Sequence, residues 1–158
     1  SMTGWRIGYA FGEEKIIKAM TKIQGQATSC ANSISQAASV EALLGDQSAV
    51  ELMKKKFKDR RNLMVSLLNE IPATKCDLPG GAFYAFPDFS HYLGKYFNDL
   101  KIKDSFDLSD LFLNEGQVVT VPGDGFGAPG HIRFSYPVSS NLIREGIKRI
   151  KNILEKLI

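Results

Sequence analysis

The stretch from Asp46 to Ile71 contains no glycine and no proline, and it ends against Pro72. Val50, Met53, Phe57, Met64 and Leu67 or Leu68 recur along it near helical spacing, while lysines and arginines fill the other side. Asp46 is a capping residue type, and proline lacks an N–H and disfavours helix in the residue before it. The pattern predicts one long helix over 46–71. Past Pro72 the composition turns to proline, glycine and aromatic strands, so the helix reads as a connector between two lobes. Residues 1–45 lie before it, and a second lobe, 72–158, lies after it.

Within 1–45, Glu13 to Gln24 reads as a short helix carrying Ile16, Ile17, Met20 and Ile23 on one side, with Gly25 as its stop. A second helix of small residues is expected from Asn32 or Ser33 to Leu44, ended by Gly45. Ile7, Tyr9 and Phe11 form a short apolar run bounded by glycines, the pattern of a buried strand. In the second lobe, Ala82 to Phe86, Gln117 to Val121 and His131 to Tyr136 are expected as strands. Leu108 to Asn114 reads as a helix ending near Gly116. Ser139 caps a last helix whose stripe is Ile143, Ile147, Ile150, Leu154 and Leu157. His91 to Ser105 reads as a polar surface loop. The expected class is α+β, with helices on one face of a short sheet.

A length of 158 residues could bury roughly 70% of the unfolded chain's surface in one domain. The net charge of +3 gives no argument for nucleic acid. The basic run Lys54 to Arg61 is interrupted by Phe57 and sits in a helical pattern, so it reads as a solvated helix face. Cys30, Cys76, His91 and His131 are isolated from one another, which predicts no disulfide framework and no metal site. No apolar stretch is long enough to span a bilayer. The expectation is a cytoplasmic protein without membrane or nucleic-acid partners.

Two arginines carry the chemistry. Arg6 stands between Trp5 and the glycine-flanked run, where a planar, always-charged guanidinium suits a phosphate or carboxylate. The plain alternative is a surface arginine in a turn. In HIRFSY, period 2 puts His131, Arg133 and Ser135 on one face and Ile132, Phe134 and Tyr136 on the other. Arg133 thus leaves a packed strand toward a polar side, either as an anion receptor or as an exposed strand arginine. The glycine-rich GDGFG, Gly123 to Gly127, lacks the lysine and hydroxyl of a phosphate-binding loop and reads as the turn that delivers this strand.

MTGWRIGY, Met2 to Tyr9, resembles the segment that follows the cofactor-bonding lysine in class I, fold-type I pyridoxal-phosphate aminotransferases. VPGDGFGAPGHIRFSYPVS, Val121 to Ser139, resembles the turn and strand carrying that family's arginine for the substrate α-carboxylate. LPGGAFYAFPDFS, Leu78 to Ser90, is similar to the strand whose aromatic residue walls the substrate pocket. Ile23 to Leu43 fits the branch of aspartate and aspartate/prephenate aminotransferases.

The resemblance implies that Arg6 binds the phosphate of pyridoxal 5'-phosphate and that Arg133 holds the substrate carboxylate. It places Phe83 on the pocket wall, with a core aromatic as the alternative. It further implies amino-acid and 2-oxo-acid substrates, aspartate and 2-oxoglutarate foremost, with prephenate or another amino acid as the second choice, and a homodimer in the full-length protein. The cofactor-bonding lysine lies upstream of MTGWR in the family. The expectation is therefore a C-terminal fragment, 1–45 closing the large cofactor domain, without a catalytic residue or activity of its own. An aminotransferase-like effector-sensing domain of a transcription regulator is the alternative from another class.

Overall fold

The computed structural model describes residues 1–158, which divide into two compact units, Ser1–Glu51 and Leu52–Ile158. The first begins with a single 3-10 turn, Thr3–Trp5, and continues without regular structure to helix α1, Glu14–Thr28. Helix α2 spans Ser33–Leu44, and the Asn32 side chain accepts hydrogen bonds from the N–H groups of Ile34 and Ser35 at its start. Ser35 is the sole buried residue of this unit, and its hydroxyl donates to the Trp5 carbonyl at 2.9 Å.

Two expectations fail here. Ile7 to Phe11 is not a buried strand: no strand pairs with it, and Phe11 is 89% exposed. An apolar run becomes a strand only where a neighbour takes up its backbone groups and covers its side chains, and this unit offers neither. Gly25 does not stop α1, because one glycine costs only about 1 kcal/mol in a helix that otherwise continues its ladder. Gln24 donates to the Thr28 hydroxyl one turn on, across the glycine, and the helix ends where Ser29 takes a φ of 66°.

Helix α3, Ser48–Asn69, enters the second unit at Leu52. Asp46 receives the Ser48 N–H at its start, and Pro72 follows its end. The sheet of this unit has the order β1–β5–β4, antiparallel throughout, with β1 Tyr84–Ala85, β4 Val121–Pro122 and β5 Ile132–Ser135. Tyr84 pairs with Ser135 and Ala85 with Phe134 on one side of β5, and Val121 with Arg133 on the other.

Helices α4, Ser105–Gly116, and α5, Ser140–Leu154, supply the apolar cover. Ile132, Phe134 and Tyr136 are buried in one core with Leu108, Leu111, Phe112, Ile143, Ile147, Ile150, Met64 and Leu68. Fully burying each such side chain stabilises the unit by about 1.5–3 kcal/mol, which is why the alternation of HIRFSY and the stripe of α5 hold as written. Ser139 caps α5 by accepting the Leu142 N–H.

The segment His91 to Ser105 is a correction to the expected surface loop. It forms a hairpin of β2, Tyr96–Phe97, and β3, Leu100–Lys101, and buries Tyr92, Ile102 and Ser105. The Tyr92 hydroxyl donates to the Pro72 carbonyl at 2.6 Å. Single apolar residues among polar ones gave no period to read. The strand expected over Gln117 to Val121 is also shorter, since Gln117 ends α4 in a left-handed conformation and the ladder starts only at Val121. No helix is long and apolar enough to cross a membrane.

Candidate functional site

The polar face of the second unit's sheet gathers aromatic rings around one cation. Tyr84 and Phe86 alternate with core-facing Ala85, and Arg133 extends from β5 beside them. Its guanidinium carbon lies 4.5 Å from the centre of the Tyr84 ring and 4.9 Å from that of Phe126. Phe86 meets Phe126 edge-on at 6.3 Å and His131 at 5.1 Å. Two rings holding a half-buried guanidinium stabilise it by roughly 0.5–2 kcal/mol each and fix its plane. That plane is the part that matters for recognition. The side chain forms no hydrogen bond or ion pair within the chain, so its N–H edge remains available for a planar, bidentate acceptor.

The loop before β5 is built to place Phe126. Gly123 donates to the His131 carbonyl at 2.8 Å and accepts from Phe126 and Ala128, closing a tight 3-10 turn over Asp124–Phe126. A Cβ on Gly123 would lie 2.5 Å from two backbone oxygens, which explains glycine there. Asp124 accepts the Ser105 N–H at 3.1 Å and the Ser105 hydroxyl, and its own N–H donates to that hydroxyl at 3.0 Å. The Ser105 hydroxyl holds the Asp124 carboxyl below the ordinary carboxylate range. The start of α4 and the turn bearing Phe126 are thereby tied by three hydrogen bonds.

Phe83 lies on the other side of β1 from Tyr84. Half-buried, it packs against the core with its ring 6.3 Å from Phe57 and 4.5 Å from Tyr84. Phe83, just before β1, and Arg133 of β5 both lie against the Tyr84 ring. Arg6 belongs to the first unit. It is exposed, with φ of 49°, and its Nη1 donates to the Thr3 carbonyl at 3.3 Å. Met2, Thr3, Arg6, Ile7 and Gly8 line a shallow concavity of about 480 Å³. One cation, one hydroxyl and open glycine backbone, with no carboxylate among them, are a donor set that fits a phosphate. These residues suit the anionic end of pyridoxal phosphate.

Tyr84, Phe126, Asp124 and Ser105 were not singled out by the sequence patterns. Tyr84 and Phe86 could have been found by the same period of 2 that placed Arg133. The Ser105 to Asp124 tie spans a sequence gap that carries no local signal.

The family model for class I and II aminotransferases matches residues 1–150. An aspartate aminotransferase of Rhizobium meliloti strain 1021 is 43% identical over 99% of this chain and 38% of its own length. A probable aspartate/prephenate aminotransferase of Aquifex aeolicus is 41% identical over 99% of the chain and 39% of its own. The crystal structure of an aspartate aminotransferase from Rhizobium meliloti superposes with a TM-score of 0.90 at 43% identity, over 99% of this chain and 40% of that one. The chain thus spans about two fifths of the length of these relatives. Its α+β architecture is that of the fold-type I aminotransferases, and the chain belongs to the class I and II aminotransferase family.

Proposed function

We propose that this chain forms the C-terminal part of a pyridoxal-phosphate-dependent aminotransferase that exchanges an amino group between aspartate and 2-oxoglutarate. In this reading residues 1–45 close the cofactor-binding domain, 46–71 connect, and 72–158 form the small domain of a homodimeric enzyme. The observation that carries it is the guanidinium of Arg133, oriented by Tyr84 and Phe126 and left without an internal partner. An amino acid gripped by its α-carboxylate has its Cα held at a fixed place and angle, and a two-pronged grip fixes both. Phe83, which the resemblance puts on the pocket wall, packs beside the Tyr84 ring and against the core. Arg6 would hold the cofactor's phosphate. Bound there, pyridoxal phosphate supplies the electron sink for amino-group transfer.

The α-carboxylate grip is common to all 2-amino acids, so the choice of aspartate rests on relatives such as the aspartate aminotransferase of Rhizobium meliloti. The Aquifex aeolicus relative's name makes prephenate the second reading. Steady-state kinetics on the complete aminotransferase tests the anchor. Arg133→Lys should lower kcat/KM for aspartate by about two to four orders of magnitude, since an ammonium cannot copy the fork, while cofactor occupancy stays unchanged. Arg6→Ala should weaken cofactor retention first. Turnover of aspartate by Arg133→Lys within about threefold of wild type would remove Arg133 from the site.

A further inference from the structure

We infer that Asp124 and Ser105 are positioning residues for the Arg133 receptor, acting through the turn that carries Phe126. The inference rests on the reading of Arg133 given above and extends it to residues that touch neither substrate nor cofactor. Phe126 is 55% exposed, so core packing does not hold its ring over Arg133. What holds it is the Asp124–Phe126 turn, closed through Gly123, touching Phe86 by its ring edge and anchored by side-chain hydrogen bonds at Asp124. The anchor reaches Ser105, which is fully buried at the first position of α4. Helix α4 caps itself with Asp104, which accepts from Phe106 and Asp107, so Asp124 is a second carboxylate at the same helix start.

That duplication points to a role for Asp124 beyond stabilising the helix. It accepts from the Ser105 backbone and hydroxyl while returning its own N–H to that hydroxyl, which fixes the turn in position as well as in distance. The ring two residues on is then set against the guanidinium, which the Tyr84 ring also contacts. Without the tie only the turn's own hydrogen bonds and the edge contact with Phe86 remain to place the ring, and the fork's second guide is loosened.

The test reads the stack directly. In the 158-residue chain, ring currents from Tyr84 and Phe126 should move the Arg133 Nε–H proton upfield of the other arginines, and Phe126→Leu should remove part of that shift. Asp124→Ala should reproduce the Phe126→Leu spectrum. Asp124→Asn should retain the wild-type shift, because a carboxamide oxygen can still accept from the Ser105 N–H and hydroxyl. Ser105→Ala, which keeps Asp124, should lose part of the shift. Titration of the complete aminotransferase with 2-oxoglutarate should show about tenfold weaker binding in Asp124→Ala and wild-type binding in Asp124→Asn. A wild-type Arg133 shift in folded Asp124→Ala, or its loss in folded Asp124→Asn, would overturn the inference. If Arg133→Lys in the complete aminotransferase binds 2-oxoglutarate as tightly as wild type, the carboxylate reading fails instead, and the shift series still decides the role of Asp124.

Discussion

Gly123 and Gly125 stand two residues apart in the turn before Arg133 and should respond oppositely to a methyl group. A Cβ at Gly123 meets the carbonyl oxygens of Ala128 and His131, both backbone and both engaged in the loop. Gly123→Ala should destabilise the second unit by about 1–3 kcal/mol in urea titration and weaken the Arg133 site with it. Gly125 has open space around it, so Gly125→Ala should change stability by less than about 0.5 kcal/mol. Equal effects would mean that the turn is not the rigid support described. At this scale the sequence was informative about direction and silent about company. Period 2 placed Arg133 on the polar face because each neighbour, Ile132 and Phe134, has a core to enter. Nothing in that alternation shows that Tyr84 and Phe126 come to lie against it, since their approach is set by sheet pairing and by a distant helix start.

Helix starts in this chain lean on aspartate side chains, which ties element stability to acid. Asp46 receives Ser48 before α3, Asp104 receives Phe106 and Asp107 at α4, and Asp88 receives Ser90 at the 3-10 turn that follows β1. Asp104→Ala should cost about 1 kcal/mol. Hydrogen bonds from Ser48, Ser90 and Ser105 hold Asp46, Asp88 and Asp124 below the ordinary carboxylate range. A group depressed in the folded state contributes stability above its unfolded pKa and loses it as pH falls through the folded value. Stability against urea should therefore be flat toward neutral pH and fall below about pH 4, with a shallower fall in Asp124→Asn. The long helix was legible because Asp46 and Pro72 bracket it, and the last helix because its apolar stripe is unbroken. The start of α4 was missed by one turn, since Ser105 to Asp107 carry no such stripe although Asp104 is an ordinary cap.

As a whole molecule the chain is uneven. The second unit closes around a continuous core, whereas the first buries only Ser35 and leaves Ile16, Met20 and Ile23 of α1 exposed with Tyr9 and Phe11. Exposed apolar side chains repeated along one helix, as at Ile16, Met20 and Ile23, mark a face that associates. The 158-residue chain should self-associate with rising concentration in sedimentation velocity, and Ile16→Lys with Ile23→Lys should suppress it. Association unchanged by that pair would place the sticky surface elsewhere. The same unevenness divides the chain's two thiols. Cys30 is exposed in the first unit, while Cys76 is buried in the second, where desolvation raises its thiol pKa and Asn69 clasps its backbone through hydrogen bonds of 2.8 and 3.0 Å. An alkylating reagent should therefore consume the exposed Cys30 first. Cys76 reacts during openings of the core, so its slower decay would time the openings of the second unit.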